Sequence, residues 1–108
     1  MIWEAMHIVL EIISGPLTGQ KVSIRPGESC RVGRDQGAEC AVPQDNYLSR
    51  MHFTLEVDEV DCRLRDLGST NGTFVNGEKV ASMLVGRGDL IAAGSSSFLV
   101  HIELEEAP

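Results

Sequence analysis

The stretch YLSRMHFTLEV, Tyr47 to Val57, changes character at its middle. From Phe53 onward apolar and polar residues alternate. Phe53, Leu55 and Val57 therefore share one face, and Thr54 and Glu56 share the other. A period of two is the signature of a strand with one buried face. The preceding residues are different: Ser49, Arg50 and His52 bring a hydroxyl, a guanidinium and an imidazole close together in the chain. The strand half bears on the fold. The polar half poses the functional question: a serine nucleophile with its base, or a hydroxyl and a cation that hold an anion.

The alternation extends outward in both directions. HIVLEII is a strand stopped by Gly15-Pro16, and QKVSI follows with Val22 and Ile24 on one face. Pro26-Gly27 marks a turn. SCRVGR pairs Cys30 with Val32, and CAVP is short. CRLRDL sets Cys62, Leu64 and Asp66 on one face and Arg63 and Arg65 on the other. GTFV runs into Asn76-Gly77, a pair suited to a hairpin turn with positive φ. KVA, DLIAA and SSFLVHIEL complete the series. No amphipathic helix, internal repeat or linker interrupts it. Short strands separated by turn residues point to an all-β chain, an antiparallel sandwich or barrel. The acidic tail ELEEAP is expected to fray into solvent.

A chain of 108 residues suits one domain, 1–108, with a modest core over about 6–104. With 43% hydrophobic residues the composition is that of a globular protein. No apolar run has the length that spans a bilayer. The N-terminal MIWEAMHIVLEII lacks the basic region of a signal peptide, and the expectation is a cytoplasmic protein without a membrane partner. A net charge of -7 argues against nucleic acid as a partner. It leaves room for a small local anion site, because distant charges are screened at physiological salt. Cys30, Cys40 and Cys62 are odd in number and widely spaced, fitting neither a disulfide framework nor a zinc site. They read as free thiols.

Polar residues interrupt the pattern in VGRD (32–35), LSRMH (48–52) and DLGSTNGTFVNG (66–77). Taken singly, each has a bland reading. Arg34 is a solvated cation, Ser49 a loop hydroxyl, Thr70-Asn71-Gly72 a tight turn and His52 a structural histidine. The catalytic alternative, an esterase-like pair of Ser49 and His52, needs both side chains within hydrogen-bond reach. Three apart on an extended segment, they point to opposite faces. There is no G-x-S-x-G elbow, H-E-x-x-H or Walker loop, so no enzyme, metal or cofactor is expected. Taken together, two guanidinium groups, two hydroxyls and an asparagine amide suit a phosphate dianion, which carries about -1.5 to -2 charge near neutral pH.

In order, Gly33-Arg34, Ser49-Arg50-Met51-His52, Ser69-Thr70-Asn71-Gly72-Thr73 and Asn76-Gly77 resemble the forkhead-associated (FHA) domain family, whose pattern is G-R, S-R-x-H, a S-x-N-G turn and a following N-G. The resemblance implies a β-sandwich of about eleven strands in two twisted, mostly antiparallel sheets. Loops at one end bind phosphothreonine-containing protein segments, the products of Ser/Thr kinases, without a cofactor. Members are phosphorylation-dependent adaptors in kinase signalling, DNA-damage responses and bacterial regulation or secretion. By position, Arg34 clamps the phosphate and Ser49 donates to it. Arg50 supplies a second phosphate or peptide contact, Thr70 lines the site, and Asn71 holds the peptide backbone. Gly33, His52, Gly72, Asn76 and Gly77 are architecture, with His52 pinning the loops and Gly72 at positive φ.

Asp35 beside Arg34 and Asp45 upstream of Ser49 are acidic for such a site, which would weaken affinity or disfavour acidic targets. Asn46, Tyr47 and the segment near Gly68 are candidates for choosing the third residue after the phosphothreonine. The alternative on the same fold is a phospho-independent scaffold or oligomerisation domain.

Overall fold

The computed structural model describes residues 4–106, with side chains over 6–104. Its strands run in the order β1 (Glu4–Ser14), β2 (Lys21–Ile24), β3 (Ser29–Gly33), β4 (Cys40–Ala41), β5 (Phe53–Val57), β6 (Cys62–Asp66), β7 (Thr73–Val75), β8 (Glu78–Val80), β9 (Ser82–Val85), β10 (Leu90–Ala93) and β11 (Ser96–Glu106). One sheet has six strands in the order β2-β1-β11-β10-β7-β8, the other five in the order β4-β3-β5-β6-β9. β3 and β4 pair in parallel. The other ladders are antiparallel. The expectation of two mostly antiparallel sheets holds.

The core follows the alternation. Ile8, Leu10 and Ile12 of β1 and Phe98 and Val100 of β11 face Phe53, Leu55 and Val57 of β5 and Leu64 of β6, all buried. Phe53 and Phe98 come from opposite sheets and meet edge to face, ring centroids 5.5 Å apart at 78°. That geometry aligns a positive ring edge with a negative ring face. The three cysteines are buried and free. Burial, followed by the neighbouring Cys40 and Glu39, pushes the Cys30 thiol up to about 12. Thiols so far from ionising are poor nucleophiles and behave as small apolar side chains.

Two details differ from the sequence reading. β9 was not anticipated. It is an edge strand in which Ser82, Met83 and Leu84 are all exposed, so no in–out alternation marks it. The acidic tail does not fray where it is described. Glu103 to Glu106 continue β11 against His7 to Glu4 of β1, because each strand satisfies the other's backbone groups. Ala107 and Pro108 lie outside the described residues.

Asn76-Gly77 forms the expected hairpin turn. Val75 pairs with Glu78, and the two turn residues have φ of 50° and 86°. The Asn76 side chain accepts from Leu90 N–H and donates to Asp89, each at 3.0 Å, fastening the hairpin to the start of β10.

Removing the ring that bridges the sheets, Phe53→Ala, should cost about 3–5 kcal/mol of unfolding free energy by urea titration. A loss below 1 kcal/mol would mean that the two sheets do not depend on this contact.

Candidate functional site

Three connections converge at one end of the sandwich: β3 to β4, β4 to β5, and β6 to β7. Glycine controls the first approach. A Cβ on Gly33 would lie 1.9 Å from the Arg50 carbonyl oxygen, so no other residue lets β3 run this close to the chain at 49–52. The resulting contact is a short backbone lattice. Arg34 N–H donates to Ser49 O at 3.0 Å, Asp35 N–H to Arg50 O at 3.1 Å, and His52 N–H to Val32 O at 2.9 Å. Arg34 Nε also donates to Leu48 O at 3.2 Å, which aims the guanidinium along the loop. Its two Nη atoms keep their hydrogens without a partner among the described residues. The Arg50 side chain is exposed and likewise unpaired there.

Ser49 joins the second and third connections. Its Oγ accepts the Thr70 N–H at 3.0 Å. A hydroxyl has one hydrogen to donate as well, and that hydrogen is unspent. Asn71 Nδ2 donates to Tyr47 O at 3.0 Å, leaving the amide its second N–H and its carbonyl oxygen. Thr70 and Asn71 are exposed. Residues more than twenty positions apart in sequence are thus locked into one surface.

His52 lies beneath that surface with 0% exposure. Nδ1 accepts the Ser49 N–H at 3.0 Å, and Nε2 faces the Gly72 carbonyl at 2.8 Å. An amide can only donate and a carbonyl only accept, so the partners assign a neutral ring carrying its hydrogen on Nε2. Gly72 has φ of 90°, as expected for the residue that turns its carbonyl towards the ring.

This geometry replaces the reason given above for separating Ser49 from His52. Residues 49–52 form a bend rather than an extended strand, so strand parity does not apply. The imidazole spends its acceptor nitrogen on the serine backbone, and the serine hydroxyl turns to Thr70. Among the described residues no free base faces the hydroxyl.

Asp66 and Asp45 do more than the sequence reading assigned to them. Asp66 accepts from the Gly68 and Ser69 amides at 3.0 Å, from the Ser69 hydroxyl, and from the Thr73 hydroxyl at 2.7 Å. Ser69 Oγ in turn accepts Gly72 N–H at 3.0 Å. Burial works against the Asp66 charge, but these donors outweigh it and hold the carboxyl below the usual range. The signal was local: an aspartate followed at short range by glycine and serine is a turn-forming arrangement. Asp45 is 1% exposed. It takes Tyr47 N–H at 3.1 Å, Ser95 N–H at 2.9 Å and the Ser96 hydroxyl at 2.7 Å. It is thus an internal brace between two loops, and the expectation that it repels acidic ligands from the surface does not hold. Partners fifty residues away left no local sign of this. Asp35 is exposed, and its carboxylate accepts the Gly37 N–H at 2.7 Å.

Of the residues singled out in sequence, Gly33, Arg34, Ser49, Arg50, His52, Thr70, Asn71 and Gly72 come together. Asn76 and Gly77 do not. They sit at the far end of β7 and act on the site only by fixing that strand.

His52→Ala would strand the Ser49 amide and the Gly72 carbonyl and leave a cavity, so a loss of about 2–5 kcal/mol is expected in urea unfolding. For Asp66 the sign follows from a lowered folded pKa. Its contribution is full above the ordinary aspartate value of about 3.9 and fades as pH falls through the folded value. Unfolding curves between about pH 2 and 6 should therefore show a shallower acid loss for Asp66→Asn than for wild type. Parallel profiles would assign the acid sensitivity elsewhere.

A family model described as the inner membrane component of T3SS, cytoplasmic domain, matches residues 11–103. An FHA domain-containing protein of Arabidopsis thaliana is 34% identical over 98% of this chain, and the FHA domain-containing protein FhaA of Mycobacterium tuberculosis is 34% identical over 88%. The chain spans 28% and 17% of the lengths of these two relatives. Among solved structures, one from work on phosphothreonine-dependent FHA domain interactions has a TM-score of 0.79 and 33% identity, covering 88% of this chain and 95% of its own. With the strand order, the loop lattice and these relatives in agreement, the chain belongs to the forkhead-associated domain family.

Proposed function

We propose that this chain is a phosphothreonine-peptide binding module, a phosphorylation-dependent adaptor rather than an enzyme. It would act in the cytoplasm as one domain and without a cofactor. The observation that carries this reading is the set of unspent donors at one end of the sandwich: the Arg34 Nη atoms, the Ser49 hydroxyl hydrogen and the second amide hydrogen of Asn71. Each side chain is already held in place by another hydrogen bond, so little freedom is lost when a ligand arrives. Arg34 clamps the phosphate, and Ser49 donates to it from the side. Thr70 lines the pocket, Asn71 holds the peptide backbone, and Arg50 adds a flexible second cation. Gly33, His52 and Gly72 keep the loops in register, with Asn76 and Gly77 supporting β7 from its far end. Tyr47, 67% exposed beside this surface, and its neighbour Asn46 are suited to reading residues beyond the phosphothreonine, as is the segment near Gly68. The phosphothreonine dependence of a related FHA structure supports this reading.

The match to a secretion-system component favours a second reading, a phospho-independent scaffold or oligomerisation domain. Light scattering separates the two. A dimer indifferent to phosphopeptide and to Arg34→Ala belongs to the second.

Charge-assisted hydrogen bonds contribute roughly 1.5–3 kcal/mol each, so Arg34→Ala should weaken phosphothreonine-peptide binding about 10- to 100-fold in calorimetric titration. Replacing phosphothreonine with phosphoserine should cost about 1–3 kcal/mol, the worth of one methyl in a fitted pocket. Binding that persists without phosphate, or is unchanged in Arg34→Ala, would sink the proposal.

A further inference from the structure

Lys79 on β8 pairs across the hairpin with Phe74 on β7. Its side chain then runs along the sheet towards the binding end and crosses Gly72. A Cβ at Gly72 would lie 2.8 Å from Lys79 Cε and 3.5 Å from its Nζ. The lysine chain thus passes over the bare Cα of Gly72, and its ammonium rests beside the turn that carries Thr70 and Asn71. Some other surface cations are engaged, Arg31 with Glu39, Arg65 with Glu56 and Arg63 with the Ser82 hydroxyl, whereas Lys21, Arg50 and Arg87 are exposed and, among the described residues, unpaired. Among the described residues Lys79 has no ion-pair or hydrogen-bond partner. In a chain of net charge -7, an unneutralised ammonium stands next to the proposed phosphate loops.

We propose that Lys79 forms a second anion subsite, beside the phosphate site, for a carboxylate or a second phosphate on the same target segment. The proposal rests on the phosphothreonine reading above. It also gives the site a charge polarity. Lys79 marks the Gly72 side, whereas exposed Asp35, whose amide donates to Arg50 O, marks the Arg50 side. A target segment lying across both would favour negative charge on one flank only. An exposed pair of this kind changes affinity by about 2- to 5-fold and is weakened by salt.

The test uses phosphothreonine peptides with neutral flanks, the same peptides with one glutamate moved through the flanking positions, and a third set with phosphoserine in its place. The readout is the ratio of neutral-peptide Kd to charged-peptide Kd. At low salt it should reach about 2 to 5 at positions on one flank, stay there in Lys79→Arg, and fall to about 1 in Lys79→Gln. The larger gain, from glutamate or from phosphoserine, names the preferred ligand. A flat scan in wild type, or an equal gain in Lys79→Gln, overturns the subsite while leaving the phosphate reading intact. Failure of wild type to bind even the neutral phosphopeptide overturns both.

Discussion

One imidazole holds the binding end together. His52 is closed off from solvent, and its two nitrogens reach a serine amide on one loop and a glycine carbonyl on another. Neither backbone group has a strand partner, and a buried group without one is costly. The ring therefore satisfies two groups at once and fixes the spacing between the loops. The orientation of Ser49, and hence the direction in which its hydroxyl donates, follows from that spacing. So does the approach of Thr70, whose amide occupies the acceptor side of the same hydroxyl.

The same logic extends to the aspartates. Asp45 and Asp66 collect amide and hydroxyl hydrogens that the turns would otherwise leave unsatisfied. Their negative charges face inward and are consumed locally, whereas the guanidinium, hydroxyl and amide donors face outward. An acidic protein can thereby present a donor-rich surface at one end. Net charge describes the whole molecule and gives no measure of this segregation.

Much of this was readable in sequence because it is local. Alternation in HIVLEII and MHFTLEV announces strands with one buried face, and Asn76-Gly77 announces a hairpin. Three of the four ordered polar blocks announced which loops would meet. What escaped depends on tertiary contacts. β9 shows little burial and so little pattern. Asp45 is an internal brace through residues of a distant turn. The bend at Ser49–His52 exists because β3 presses against it at Gly33, and a single segment carries no trace of that neighbour. Tail residues Glu103 to Glu106 read as solvent-bound by charge, yet they are held by the strand that begins the fold.

That last ladder sets the way the domain can be mounted. Ser14 and Ser97 pair near the binding end, and Glu4 and Glu106 pair at the other end of the same two strands. Eleven residues at about 3.3 Å each put roughly 35 Å between the two ends. The chain thus enters and leaves side by side, on a common stalk that points away from the ligand. Whatever polypeptide is attached there meets the domain at its base, so it can be tethered, or inserted between other segments, with the recognition loops held clear.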